Sequence, residues 1–130
     1  MKKIRILSES IGEVQAVLTE ENPETEKAFY SSLPTEGRAS LWGEEIYFRM
    51  PIGVSKENSR VAVEAGEIAI WIESPSFCIF FGKTPTSTKK EIRAFSEVNV
   101  IGKIEGDLAI FKKVKQGEVI RLKKLVRKPE

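Results

Sequence analysis

At 130 residues the chain has the length of one domain, 1–130, enough to bury a core without cross-links. Hydrophobic residues make up 41% and charged residues 31%, which excludes disorder, and 21 basic against 19 acidic side chains leave a formal charge of +2, too small to imply a nucleic-acid or anionic-membrane partner. No histidine and a single cysteine are present, so Ser-His-Asp and Cys-His catalysis, a conventional zinc site and an intrachain disulfide all drop out, and neither metal nor cofactor is expected.

Met1-Lys2-Lys3-Ile4 has the charge of a signal-peptide opening, but Arg5 and Glu9 interrupt any apolar segment, and no stretch approaches the roughly 20 residues of a membrane helix. A cytoplasmic location is expected. Residues 3–7 and 13–18 read as a first hairpin, the second run alternating Val14, Ala16 and Leu18 against polar neighbours. Asn22-Pro23 supplies an N-cap and a proline at the first helical position, predicting a helix that runs to Leu33 and stops at Pro34. Residues 38–51, RASLWGEEIYFRMP, form a second hairpin turning at Gly43-Glu44; Ile46, Phe48 and Met50 take one face and Glu45, Tyr47 and Arg49 the other. A polar loop follows, then a short strand over 61–64.

Residues 66–87 organise the rest. They read GEIAIWIESPSFCIFFGKTPTS, two apolar runs joined by Glu73-Ser74-Pro75-Ser76, a hairpin signal. Ile68, Ile70 and Ile72 share one face while Ala69 and Trp71 take the other; Phe77, Ile79 and Phe81 oppose Cys78 and Phe80. Both faces are apolar, so a helix, a second layer or a bound ligand must cover the second one. Residues 83–97, rich in Thr, Ser, Pro and Lys, read as a long surface loop, and 98–104 as a strand in which Gly102 marks a bulge or a close approach. Asp107 opens a helix whose Leu108, Ile110, Phe111 and Val114 recur at helical spacing before Gly117; 119–123 closes the set as a strand, followed by a basic tail. About nine short strands and two helices that do not alternate with them predict a closed antiparallel barrel with helices at its ends.

Three segments resemble the cyclophilin-like domains, in particular a small prokaryotic group of this length: LWGEEIYF at 41–48, GEIAIWIESPSFCIFFGKTP at 66–85 and NVIGKIEG at 99–106. The likeness to true cyclophilins is more distant. Phe48-Arg49 is similar to their Phe-His-Arg strand, 76–79 to their Ser-Gln-Phe-Phe-Ile strand and 100–106 to their Val-Phe-Gly-Lys-Val segment. The resemblance implies a mainly β fold, a closed eight-stranded cyclophilin-like antiparallel β-barrel capped by two short helices. It also implies an outer groove for a proline-containing peptide, with an arginine easing rotation about a bond whose barrier is about 18–20 kcal/mol. Arg49 stands one position from a strict match, the groove histidine has no counterpart, and Trp71, Ile72 and Glu73 replace small groove residues with large ones.

Several residues carry two readings. Trp71, Phe77, Phe80 and Phe81 are core and cover or line a groove, with Trp71 the one best placed to border a pocket. Glu45, Tyr47 and Arg49 are an outward salt-bridged trio or a ligand set; Glu73 and Thr84 are turn residues or functional groups held at the mouth of the central hairpin. Cys78 reads as an inert buried thiol, and Arg121, Lys123, Lys124, Arg127 and Lys128 as a solvated strand end or a site for an acidic partner. Two functions stay open. One is a binding domain that holds a small molecule or extended peptide in an aromatic-edged cleft formed by Tyr47, Phe48, Arg49, Trp71, Glu73, Phe77 and Thr84. The other is a weak peptidyl-prolyl cis-trans isomerase with Arg49 as its electrostatic donor, a chemistry that needs no general base.

Overall fold

The fold is that of a computed structural model in which residues 2–126 are described; Met1 and the end of the basic tail, Arg127 and Lys128 included, lie outside them. Along the chain run β1 (Lys3–Ser8), β2 (Gly12–Leu18), α1 (Pro23–Ser31), β3 (Thr35–Arg38), β4 (Ser40–Leu41), β5 (Glu45–Arg49), β6 (Arg60–Val63), β7 (Glu67–Trp71), β8 (Ser76–Phe80), β9 (Ile92–Glu105), a 3-10 helix (Leu108–Lys113) and β10 (Val119–Lys124). All ten described strands belong to one antiparallel sheet in the order β3-β10-β1-β2-β9-β7-β8-β5-β4, with β6 paired to β9. The mainly β architecture is as expected, with ten strands among the described residues where eight were expected and no ladder between the two ends of the path. Those ends, β3 and β4, are separated in the chain by Ala39 alone.

Strand alternation sorts the side chains. Ile4 and Ile6 of β1, Ala16 and Leu18 of β2, Ile46 and Phe48 of β5, Ile68 and Ile70 of β7, Phe77 and Ile79 of β8 and Ile120 and Leu122 of β10 converge in one large core. Helix α1 adds Phe29, whose ring stacks on Phe77 at 5.5 Å with planes 11° apart, and the 3-10 helix adds Phe111, 5.9 Å from Phe81. Gly102 sits where the β7–β9 register shifts, and a Cβ there would lie 2.4 Å from the Val17 carbonyl oxygen, so the expected close approach is real and the strands require glycine.

Four expectations need correction. The first helix ends at Ser31, not Leu33. Asn22 makes no side-chain cap; fully buried, it donates to the Val100 carbonyl at 2.8 Å and accepts from the Asn58 N–H at 2.6 Å, tying the helix to β9 and to the loop after β5. Glu57 caps in its place, its carboxylate accepting from the Glu24 and Thr25 N–H groups at 3.1 Å and from Thr25 Oγ1 at 3.0 Å. Those bonds outweigh the cost of desolvation and hold its carboxyl below the usual range. The long loop expected over 83–97 ends at Glu91, because residues 92–97 open the 14-residue strand β9, in which Ile92 and Arg93 pair with Val63 and Ala62 of β6. Residues 108–113 are a 3-10 helix, with Asp107 accepting from the Ala109 N–H as expected of a cap.

Candidate ligand pocket

The second apolar face of the central hairpin is covered by sheet. Ala69 of β7 and Cys78 and Phe80 of β8 pack with Val63 of β6 and with Ala94, Val98 and Val100 of β9, while Tyr47, Trp71 and Ile92 are only half buried against this second cluster. β6 is fastened there by Arg60, whose guanidinium forks between Glu21 (2.7 and 2.9 Å) and Glu67 (3.0 and 2.6 Å) and also reaches the Ala62 carbonyl at 2.9 Å. Cover is incomplete. A cavity of about 240 Å³ remains beside it, lined by Trp42, Glu45, Tyr47, Trp71, Ala94, Phe95 and Val98.

Ring geometry defines the walls. Tyr47 meets Trp71 edge-on at 6.5 Å and 81°, Trp71 meets Phe95 at 5.9 Å and 80°, and Phe95 meets Trp42 at 5.8 Å and 74°. The Trp71 indole N–H donates to Ser96 Oγ at 2.6 Å, and that hydroxyl donates to Glu73 Oε2 at 2.8 Å, so the indole is held by β9 and by its own hairpin turn. Phe95 is 65% exposed.

One lining group ionises differently from its kind. Glu45 is only 6% exposed, directly opposite Phe80 in the ladder. Burial pushes its carboxyl up to about 7, partly countered by the Cys78 thiol. No basic side chain pairs with it among the described residues. Cys78 is itself free and buried, and burial, then the nearby Glu45 charge, raises its thiol well above the ordinary value. The pocket thus offers apolar rings and one carboxyl that titrates near neutrality. Among the described residues no three His, Cys, Asp or Glu side chains gather as a metal would need.

Of the residues singled out in the sequence, Tyr47 and Trp71 line this pocket, and Glu73 is joined to Trp71 through Ser96. Phe48 and Phe77 lie on the other face of their strands, in the large core, 5.6 Å apart. Arg49 is exposed and forms no ion pair with Glu45. Thr84 is buried in a turn, its hydroxyl donating to the Arg93 carbonyl and its N–H to Ser87 Oγ at 2.9 Å. Sequence reasoning weighed Glu45 with Tyr47 and Arg49 as a ligand set or a salt-bridged trio, and of these Glu45 and Tyr47 line the pocket; it missed Trp42, Ala94, Phe95 and Val98. The even spacing of Ile92, Ala94 and Val98 through a polar stretch was the available signal for Ala94 and Val98, and it offered none for Phe95.

The cyclophilin-like family model matches residues 2–123. A hypothetical protein from Archaeoglobus fulgidus, known from its solution structure, is 41% identical; the match covers 95% of each chain with a TM-score of 0.80. McbB, solved in complex with tryptophan, is 14% identical with a TM-score of 0.71; the match covers 98% of this chain and 46% of McbB. No curated protein matches the sequence.

Proposed function

This chain belongs to the cyclophilin-like family, and we propose that it is a binding protein holding a small organic molecule between Trp42, Tyr47, Trp71 and Phe95. The observation that carries this reading is Phe95, a large apolar side chain left 65% in water on the wall of a concave aromatic surface. A guest in the cavity would take that ring out of water at a stabilisation of about 25 cal/mol per Å² of apolar area. McbB, 46% of which matches this fold, was solved in complex with tryptophan, which supports the small-molecule reading.

The frame that holds the pocket is read as a closed barrel. Ala39 donates to the Glu118 carbonyl at 2.8 Å and accepts from the Gly117 N–H at 2.7 Å, so residues 35–41 behave as one strand kinked at Ala39. Counted so, the sheet path holds eight strands whose first and last are continuous through Ala39, which supports the closed reading. Tyr47 and Trp71 carry over as binding residues, with Glu73 positioning the indole. Phe48 and Phe77 anchor the strands from inside, Thr84 fixes the turn beside Gly43, and Arg49 is the residue on which the isomerase alternative depends. The buried single thiol supports a cytoplasmic setting.

Both tryptophans of the chain stand in the pocket wall, so their fluorescence reports occupancy directly. A panel of small aromatic, aliphatic and amine compounds, with short proline peptides alongside, should contain members that change the emission saturably and raise the melting temperature. Trp71→Ala should abolish both effects. A panel silent in both measurements overturns the reading.

A further inference from the structure

Three successive ring pairs, Tyr47–Trp71, Trp71–Phe95 and Phe95–Trp42, each stand within about 16° of perpendicular, as adjoining walls of a box do. An aromatic face carries the negative lobe of the ring quadrupole, so rings set around one cavity favour a cation between them. The Trp71 N–H, a donor only, is already engaged by Ser96, and the Glu73 carboxylate behind that hydroxyl adds negative potential to the indole. The remaining charged group of the lining is Glu45, buried and without a basic partner among the described residues.

A neutral apolar guest would leave the Glu45 carboxyl desolvated with only the Cys78 thiol to answer it, and an anionic guest would meet like charge. A guest with a compact cation answers both features at once, the rings taking its methyl or methylene groups and the carboxylate its charge. Resting on the reading that this cavity is a ligand site, we infer that it takes an alkylammonium head group, with Trp42, Tyr47, Trp71 and Phe95 as the cage and the Glu45 carboxylate as counter-ion. The size agrees: about 240 Å³ is below the roughly 300–1,000 Å³ of sites that enclose drug-sized molecules, and suits a head group whose remainder stays outside.

The test compares choline and tetramethylammonium with 3,3-dimethyl-1-butanol, which has the shape of choline and no charge. Each is titrated at pH 8 against the native chain, Glu45→Gln and Trp71→Phe, following tryptophan emission and melting temperature. The expected result is choline at least tenfold tighter than the alcohol on the native chain, the ratio falling to threefold or less in Glu45→Gln. Trp71→Phe, which keeps an aromatic wall, should weaken both cations while leaving them ahead of the alcohol. Equal binding of choline and the alcohol overturns the cation inference and leaves the pocket reading standing. A choline preference that Glu45→Gln leaves untouched removes Glu45 as counter-ion and overturns the inference as stated. Silence from all three probes overturns it as well; the wider panel of amines, aromatics and peptides then decides the pocket reading separately.

Discussion

Trp71 and Ser96 are joined across two strands, the indole N–H of the one donating to the hydroxyl of the other at 2.6 Å. The bond fixes the ring that both Tyr47 and Phe95 meet edge-on, so Ser96 positions a wall that it does not itself form. Ser96→Ala should cost about 1 kcal/mol of stability and weaken a pocket ligand several-fold, with Ser96→Thr restoring part of the affinity. Melting curves and fluorescence titration on the same samples check this. Unchanged affinity alongside the stability loss would show that the bond serves folding alone.

Glu45 makes stability depend on pH. The folded chain keeps its proton up to about pH 7 because burial disfavours the charge, whereas the unfolded chain releases it near 4.5. The native state therefore binds more protons between those values, and its stability falls as pH rises from about 4.5 to above 7, by about 3 kcal/mol in total. The titratable group facing it from β8 is Cys78, which stays protonated in this range; Ala94 and Val98 of β9 carry no charge. Glu118 acts in a separate window. The bonds it accepts from Ser10, Ser8 and the Lys115 N–H outweigh its desolvation and hold its carboxyl at about 2, so its contribution is lost only as pH drops below 4.5. Denaturant melts of Glu45→Gln should lack the decline between pH 5 and 8 that the native chain shows, and should cross above native near neutrality. Parallel pH profiles for the two would contradict a buried carboxyl at this position.

The Glu57 cap should be felt by α1. Glu57→Ala leaves two backbone N–H groups and the Thr25 hydroxyl without their shared acceptor, and should lower the melting temperature by about 3 °C with slower loss of sheet signal than of helix signal. Asn22→Ala should cost more, because Asn22 is buried and its two bonds reach separate parts of the chain. The reverse order would mean that the bonds of Asn22 to Val100 and Asn58 hold the fold less than its burial implies.

Arg49 separates the two functional readings. It is exposed, and Phe48 beside it is in the core, so the account expects Arg49→Ala to leave pocket binding unchanged and expects no isomerase rate above background on a proline peptide. An arginine-dependent rate would establish the alternative.

Much of this was legible in the sequence where period and turn residues agree. Both flanking hairpins, the inward set Ile68, Ile70, Phe77 and Ile79, the opposite placement of Trp71, and the role of Gly102 all follow from alternation and from what glycine alone permits. The half of the site on β9 was not legible. Its register shifts between Arg60 and Ala62 of the partner strand break the alternation there, and Ser, Thr and Lys around it give the look of a loop. Glu45 was visible on the right face, but its burial comes from Phe80 and from the β9 residues that close over it, contacts roughly 35–50 positions away in the chain. Asn22 had the right identity for a cap, and a partner 78 residues distant took its side chain instead.

The most direct measurement is a nitrogen-15 NMR titration of the native chain with choline. Two tryptophans give two indole N–H signals, and both indoles stand in the proposed wall. The account expects both signals to move saturably, together with the backbone amides of Tyr47 and Phe95, while the core amides of Ile6 and Leu122 stay still. Indole signals that hold their positions while choline reaches high millimolar concentration, or shifts confined to another surface, would contradict it.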